Sequence, residues 1–170
     1  VVLQDESGSL SILSKEMLGK GRDLADQLGV WLMVYTIHPL SDQGKEIISH
    51  GADQVFEGVP RDLMGQTDSL AKFIEQKRPE IVFFPSSLEM LPLAARVAQR
   101  FRTGLAADCV ALNLDLTERR LVATRPLYDG KLFEELYWPT QRPQIATIKS
   151  GAFPEGFSDP YREGTVERVK

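Results

Sequence analysis

The chain has few of the residue types that most often mark catalytic or metal centres. Its 170 residues include one cysteine and two histidines. A single cysteine cannot form an internal disulfide, and a metal site built from one cysteine and two histidines would need carboxylates as further ligands. Basic side chains are not in excess either, because the formal net charge is −4. Nucleic acid is therefore not expected as the main partner, since binding to phosphate backbones requires a basic face.

Long apolar runs are also missing. The longest, VWLMVY from Val30 to Tyr35, is far too short to span a bilayer. No signal or transit peptide is recognisable, so we expect no membrane insertion and a reducing, aqueous compartment. Apolar residues make up 42 % of the chain and charged residues 26 %, which is typical of a globular protein and argues against disorder. The length suits one domain.

Strand-like and helical patterns alternate over the first part of the chain. Short apolar runs predict strands, and segments of helical periodicity between them predict helices. The predicted strands lie at 1–3, 30–37, 52–58 and 80–85. The predicted helices lie at 14–29, 41–51, 68–79 and 89–102. Such alternation indicates an α/β fold with a doubly wound parallel, Rossmann-like sheet and right-handed crossovers.

Capping residues predict where these helices begin and end. Ser14, Ser41, and Asp68 or the serine after it stand where N-caps are expected. Gly29 and Gly104 stand where a left-handed residue commonly ends a helix.

The pattern changes after Gly104. Four strand-like runs follow, at 107–115, 120–128, 131–138 and 143–149. They predict an antiparallel meander that extends or flanks the parallel sheet. We therefore assign residues 1–150 to the α/β domain. The last segment, 151–170, combines proline, glycine and charge without periodicity, and is predicted to be a linker or arm.

Candidate ligand loops should follow the carboxyl ends of the strands. The first, DESGSLS from Asp5 to Ser11, has one glycine and is better explained as a solvated loop than as a phosphate cradle. The GKG at Gly19 lacks the further glycine of a dinucleotide fingerprint. Ser86 and Ser87 precede a helix and are the better candidates, although serines there are more typical of caps.

Histidine is the usual general base, but neither histidine has a recognisable nucleophile partner. His38 ends a predicted strand, and His50 lies in the last turn of a helix, where a cation favours the dipole. Strand end and helix end are the favoured interpretations of these positions. No residue is predicted to be catalytic, cofactor-binding or metal-ligating.

The stretch TGLAADC allows two interpretations. Thr103, Asp108 and Cys109 form either a small reactive site or a helix stop that leads into a strand. Strand alternation would place Ala107 and Cys109 on one face and Asp108 on the other. Cys109 has no neighbouring base and is expected to be a small buried apolar residue, while Asp108 is expected to pair with Arg125. The second interpretation is favoured.

Several motifs in a fixed order carry a family resemblance. They include TGLAADC at Thr103–Cys109, TRP at Thr124–Pro126 and RPQIAT at Arg142–Thr147. Upstream, Leu18–Asp26 and Gly51–Asp53 agree as well. With these motifs the chain resembles the N-terminal domain of electron-transfer flavoprotein alpha subunits over essentially its whole length.

The resemblance implies a fold like that of adenine nucleotide hydrolases and a role in electron transfer without catalysis by this domain. It implies that FAD is held chiefly by a C-terminal domain following Lys170, that a beta subunit is the partner, and that AMP belongs to that subunit. Electrons would come from flavin-dependent dehydrogenases and pass to an acceptor. The implied compartment is the cytoplasm in a bacterium or archaeon, and the mitochondrial matrix in a eukaryote.

The sequence departs from the family pattern at three places. Met90-Leu91 stands where Gly-Arg is usual, Asp129-Gly130-Lys131 stands where Gly-Gly-Asn is common, and Glu134-Glu135 makes one strand more acidic. These departures predict a partner surface that differs from the usual one.

Two other functions remain open from the sequence. One is a stand-alone nucleotide-binding module of the same architecture. The other is a small enzyme that uses Ser86, Ser87 or His38.

Overall fold

A computed structural model describes residues 1–5, 9–40, 43–59 and 62–169. The elements, in chain order, are β1 (Val2–Leu3), α1 (Ile12–Leu28), β2 (Met33–Thr36), α2 (Gln43–Ser49), β3 (Gln54–Glu57), α3 (Leu63–Lys77), β4 (Ile81–Pro85), α4 (Met90–Arg100), β5 (Leu105–Cys109), β6 (Ala111–Asp115), β7 (Arg120–Leu127), β8 (Leu132–Tyr137), β9 (Gln144–Ile148) and β10 (Thr165–Arg168). They confirm the predicted α/β class, with parallel strands followed by an antiparallel extension.

The chain divides into two compact units. Unit 1 comprises residues 1–60 and 153–170, and unit 2 comprises residues 61–152. The unit boundary near residue 153 lies close to the predicted start of the linker or arm.

Sheet A belongs to unit 1 and has the strand order β1-β2-β3-β10, with all neighbours parallel. Val34 of β2 lies opposite Val55 of β3, which in turn lies opposite Val166 of β10. Val34 and Val55 are fully buried. The buried residues of α1 include Met17, Leu18 and Leu24, as its helical periodicity predicts.

Sheet B belongs to unit 2 and has the order β4-β9-β5, again parallel throughout. The expectation that the run at 143–149 joins the antiparallel meander is therefore wrong, because β9 lies between β4 and β5. All five residues of β9 are buried. Strands inside a parallel sheet are covered on both faces, so their residues are mostly apolar without alternation. The position of β9 therefore explains its short, nearly continuous apolar run.

Sheet C, also in unit 2, is the antiparallel sheet β6-β7-β8. Three of the four predicted meander strands contribute to it, which confirms the antiparallel extension. One face carries Leu112, Ala123 and Leu136 in register, and the first two are buried.

Most helix ends differ from the predicted caps. Helix α1 begins earlier than expected, with Ser11 as its N-cap, whereas Gly29 ends it in the predicted left-handed conformation with φ 66°. Helix α3 also begins earlier, at the N-cap Asp62. The predicted N-cap Ser41 lies outside the described residues. These shifts arise because several serines and aspartates in each segment can cap, and tertiary packing selects one of them.

The prediction that Gly104 ends α4 in the left-handed region is wrong. Arg102 takes that conformation, with φ 50°. The N–H of Thr103 then donates to the carbonyl of Ala98 at 3.0 Å, and that of Arg102 donates to Gln99 at 3.1 Å, which is the Schellman arrangement. A glycine at 104 relieves a tight contact instead, because a Cβ there would lie 3.2 Å from Nε1 of Trp138.

The last segment is not a free linker within residues 153–169. Strand β10 pairs with β3 over its whole length, with Val166 opposite Val55. Before that strand, Gly156 crosses α1 at Gly19, where a Cβ on Gly19 would lie 2.5 Å from the Cα of Gly156. This close crossing accounts for a glycine inside a helix, where it otherwise costs about 1 kcal/mol relative to alanine.

Candidate functional site

A small polar cluster lies where β4, β9 and β5 end. The hydroxyl of Thr147 donates to Oγ of Ser86 at 3.2 Å, and the Ser86 hydroxyl donates to the carboxylate of Asp108. The backbone N–H of Asp108 closes the ring by donating to Oγ1 of Thr147 at 2.9 Å. The three residues therefore serve as hydrogen-bond partners for one another.

A bulge in β5 places Asp108 in this cluster. Ala106 pairs with Ala146 and Cys109 with Ile148, so β5 contains one more residue than β9 between these pairs. Asp108 takes up the extra length with φ 58°, in the left-handed region that aspartate tolerates better than most side chains. The expected alternation fails for this reason, because Ala106 and Cys109 are the buried residues and Asp108 is exposed.

The predicted pair between Asp108 and Arg125 is wrong. Arg125 on β7 instead donates to Glu134, directly opposite on β8, at 2.7 Å. A cross-strand neighbour is held close by the ladder, so it is the easier partner for a guanidinium.

Cys109 is a core residue. It is fully buried, and its thiol donates to the carbonyl of Ala106 at 3.4 Å. Burial raises the pKa of Cys109 to about 12, which keeps the thiol protonated at neutral pH and therefore a poor nucleophile.

The other residues of TGLAADC hold unit 2 together. The hydroxyl of Thr103 donates to the carbonyl of Pro143 at 3.0 Å. The carbonyl of Gly104 accepts from Nε1 of buried Trp138 at 2.8 Å. The stretch is thus a fold junction, as the favoured sequence interpretation holds.

The two serines after β4 have different roles. Ser86 belongs to the polar cluster, while Oγ of Ser87 accepts from the N–H of Met90 at 3.2 Å and so caps the first turn of α4. Met90 itself is buried, so this departure from the family pattern contributes to the core, whereas Leu91 is exposed.

The two histidines lie in unit 1. The carbonyl of His38 accepts from the hydroxyl of Thr36 at 2.9 Å, close to the carboxyl end of β2. His50 is buried after α2, and its Nδ1 has no hydrogen-bond partner among the described residues. Among the residues that the structure describes, no hydrogen bond joins either histidine ring to a hydroxyl or thiol nucleophile.

The start of α1 already binds a carboxylate of the chain. Asp5 accepts from the N–H of Ser11 at 3.0 Å and from the hydroxyl of Ser14. A phosphate at this position would compete with that carboxylate. Within the described part of the first loop, the residues therefore do not fit a pyrophosphate cradle.

Neither a metal centre nor a membrane span is found in the part of the chain that the structure describes. There, no three His, Cys, Asp or Glu side chains are grouped so that they could hold a metal ion. No helix in those residues is long and apolar enough to cross a bilayer.

The second face of sheet C exposes apolar side chains, and we call it the outer face. It carries Phe133 and Tyr137 on β8, which are 63 % and 57 % exposed. Half-buried Pro126 and Val122 of β7 lie directly opposite them. In sheet C the other side of β8 has no partner strand among the described residues, so its backbone groups are open to one. An exposed apolar face next to an unpaired strand edge is typical of a surface that binds another protein.

Charged side chains lie at the border of the outer face, and its aromatic rings stay exposed. The guanidinium of Arg120 lies 5.0 Å from the ring centre of Tyr137 and pairs with Asp115 at 2.9 Å. The hydrogen bond from Arg120 lowers the pKa of Asp115, so this carboxylate stays ionised at neutral pH. Arginine stacked on an exposed aromatic ring is typical of interfaces.

Sequence reasoning did not identify the outer face. Its only sequence signal is that Phe133 and Tyr137 fall on the same side of a strand that also carries Glu134 and Glu135. That pattern suggests an edge strand, but it does not indicate which face of the strand packs against the rest of the protein.

Comparison with known proteins identifies the family. The family model described as "Electron transfer flavoprotein domain" matches residues 1–170. The chain belongs to the electron transfer flavoprotein domain family. The resemblance to alpha subunits predicted from the sequence motifs is thereby confirmed.

The relatives of this flavoprotein domain include named alpha subunits. The electron transfer flavoprotein subunit alpha of Clostridium acetobutylicum is 37 % identical over 160 residues, which is 90 % of this chain and 47 % of that protein. Protein FixB of Azotobacter vinelandii is 34 % identical over 180 residues, covering 99 % and 49 % respectively. The subunit alpha of Megasphaera elsdenii is 31 % identical over 179 residues, covering 100 % and 52 %. The chain spans about half the length of these curated relatives.

Two motifs of the flavoprotein resemblance meet in the polar cluster. Asp108 comes from TGLAADC and Thr147 from RPQIAT, and they hydrogen-bond across β5 and β9. In this electron transfer flavoprotein domain the motifs therefore fix the bulged strand pairing of sheet B.

Proposed function

We propose that this chain is the scaffold and subunit-contact domain at the N-terminal end of an electron transfer flavoprotein alpha subunit. The outer face of sheet C carries the proposal. A beta subunit is the proposed occupant, because relatives of this chain are named alpha subunits and the face exposes Phe133 and Tyr137 beside an unpaired strand edge. Large exposed rings with an arginine nearby are frequent centres of protein interfaces.

In the complete protein, this domain supports electron transfer and does not catalyse a reaction. FAD is bound through a C-terminal domain, electrons arrive from flavin-dependent dehydrogenases, and they leave to an acceptor. Two features of the chain support this division of labour. Asp5 binds at the start of α1, and the polar hydroxyls after β4 and in β9 are engaged with Asp108. These residues do not fit a dinucleotide.

The proposed compartment is the cytoplasm of a bacterium or archaeon, or the mitochondrial matrix if the source is eukaryotic. Two of the curated relatives come from the bacteria Clostridium acetobutylicum and Azotobacter vinelandii, which favours the first of these.

Subunit contact is tested by co-purification of the tagged chain with the beta subunit of the same organism. We expect the double variant Phe133→Ala with Tyr137→Ala to lose most of the bound beta subunit, because truncating an aromatic hot spot at an interface costs about 2 kcal/mol or more. The matched control is Leu88→Ala, which truncates another exposed apolar side chain of unit 2 outside sheet C. Equal retention of the beta subunit by the double variant and the control would contradict the proposed face.

Flavin binding is tested on the 170-residue chain itself. We expect the purified protein to be colourless and to retain no FAD after incubation and gel filtration. A yellow protein with stoichiometric FAD would show that this chain holds flavin without further residues, against the proposed role.

A further inference from the structure

Residues 153–169, which we call the strap, run along unit 1 and are fastened at separated points. The N–H of Gly156 donates to the carbonyl of Lys15 at 3.3 Å, and that of Asp159 donates to Ser49 at 2.8 Å. The strap then ends as β10, the fourth strand of sheet A. Its attachment is therefore made mainly by backbone and polar groups.

Apolar burial contributes little to this attachment. None of residues 153–169 is buried, and all four residues of β10 are exposed. Phe157 and Tyr161 are 89 % and 90 % exposed. Among the described residues of unit 1, the buried apolar ones all come from its first segment, before residue 60. Because burial supplies most of the stability of a core, we expect unit 1 to keep its core when the strap is detached.

Asp53 links the strap to the body of unit 1. Its Oδ2 accepts from the Leu32 N–H at 2.7 Å and from Arg22 at 2.8 Å, so the carboxylate is fixed independently of the strap. Its Oδ1 accepts from Nη2 of Arg162 at 2.7 Å. Arg162 also donates to the carbonyl of Ala52 at 3.4 Å. The pair of Asp53 and Arg162 is thus a preformed latch.

A second ion pair on the strap is weaker. Arg168 donates to Glu57 at 3.2 Å, but the Arg168 side chain is 75 % exposed. Exposed pairs contribute little because water competes for both charges. The latch at Asp53 is therefore the stronger ionic contact.

The crossing at Gly19 and Gly156 is the other sensitive point. A Cβ on either glycine would lie within 2.6 Å of the backbone of the other, which is closer than real contacts allow. An alanine at position 19 would favour α1 itself, since alanine is the better helix former, and would push the strap away.

From these contacts we propose that the strap is a releasable strand, which leaves a folded unit 1 when the Asp53–Arg162 latch opens. Release uncovers the edge of β3 from Gln54 to Glu57, the edge that β10 pairs with in the docked form. The docked and released forms are in local equilibrium, separate from global unfolding.

The test is native-state cleavage by chymotrypsin, which cuts after aromatic residues. Phe157 and Tyr161 already face solvent, but a protease needs the surrounding backbone detached, so cleavage there measures release. Arg162→Ala removes the latch and Gly19→Ala displaces the crossing. We expect each variant to be cut after Phe157 or Tyr161 at least about tenfold faster than the parent chain, as mass spectrometry locates the cuts. Glu163→Gln, an exposed strap residue for which no ion pair is found among the described residues, is the matched control and should be cut at the parent rate.

Hydrogen exchange on the same variants separates release from unfolding. Peptides covering α1 and β2 should keep their protection in both variants, while those covering β10 lose it. The proposal is overturned if neither variant speeds cleavage of the strap. It is equally overturned if α1 and β2 lose protection together with β10, since the strap would then be an inseparable part of unit 1.

Discussion

Strands β8 and β9 are neighbours in the sequence of unit 2, and they have opposite surroundings. Strand β9 is buried at every residue, between two parallel partners. Strand β8 is exposed at four of its six residues, and among the described strands of sheet C it pairs only with β7. Both contain enough apolar residues to be predicted as strands. The comparison shows that apolar content predicts a strand but not its burial, which depends on whether one or both edges and faces are covered.

This difference in burial gives the two strands different expected roles, with β9 stabilising the fold and β8 contacting a partner. Side chains of β9 should determine whether unit 2 folds, since they are surrounded by protein. Side chains of β8 should affect the isolated chain little and are available to a partner.

The largest effect is expected for the core of β9. Ile145→Ala should lower the free energy of unfolding by about 2–5 kcal/mol, because it leaves a cavity among residues that cannot fully collapse. Ile145 is fully buried. Urea denaturation measures the change. The matched variant Leu132→Ala on β8 should stay within about 0.5 kcal/mol of the parent, and similar losses in both would refute the contrast.

A smaller effect is expected for the buried hydroxyl of β9. Thr147→Val keeps the shape of the side chain but removes the acceptor for the Asp108 N–H and the donor to Ser86. The expected loss is about 1–3 kcal/mol in urea denaturation, the cost of unsatisfied polar groups. Thr124→Val on β7 is the control, because that half-buried threonine makes no side-chain hydrogen bond among the described residues. An unchanged stability for Thr147→Val would mean that water replaces the lost bonds.

A still smaller loss of stability is expected for substitutions of Asp108, at the bulge beside β9. The size of this loss should depend on which residue replaces the aspartate. Asp108→Ala removes the acceptor for Ser86 and places alanine in the left-handed region, which costs about 1–2 kcal/mol. Asp108→Asn should cost less than about 0.5 kcal/mol, since asparagine tolerates that region and its oxygen still accepts from Ser86. Thermal unfolding of both variants compares them. If asparagine were as harmful as alanine, the negative charge and not the bulge geometry would be the important property.

The smallest effect is expected for the ion pair on β8. Arg125 and Glu134 are about one-third exposed, at 34 % and 38 %, so solvent screens their attraction. A double-mutant cycle with Arg125→Ala and Glu134→Ala should give a coupling free energy of about 0.2–1 kcal/mol. A coupling well above that range would show that β8 is more enclosed in solution than its exposure indicates.

The sequence predicted the parts of the fold that depend on local pattern. Alternating strand and helix signals gave the α/β class, and Gly29 marked a helix end correctly because only one good C-cap residue stands there. The placement of β9 was missed because pairing partners are far apart in the chain and short apolar runs do not encode them.

The polar cluster illustrates the same limit. Sequence reasoning singled out Ser86 and Asp108 separately, but the contact between them depends on the bulge in β5. A one-residue bulge breaks the alternation that placed Asp108 on the face opposite Ala107 and Cys109, and the expected pair with Arg125 does not form. The ordered motifs nevertheless predicted the family, because their order can be read from the sequence without knowing any contact in the fold.

The return of the chain to unit 1 has a consequence for synthesis on the ribosome. Glu57 of β3 and Arg168 of β10 are 111 residues apart, and all of unit 2 lies between them. At elongation rates of about 5–20 residues per second, the edge of β3 waits on the order of ten seconds for its own strand. Unit 2 has its complete sequence during that interval and can fold first, so a chaperone that shields the nascent chain is most useful at the open edge of unit 1.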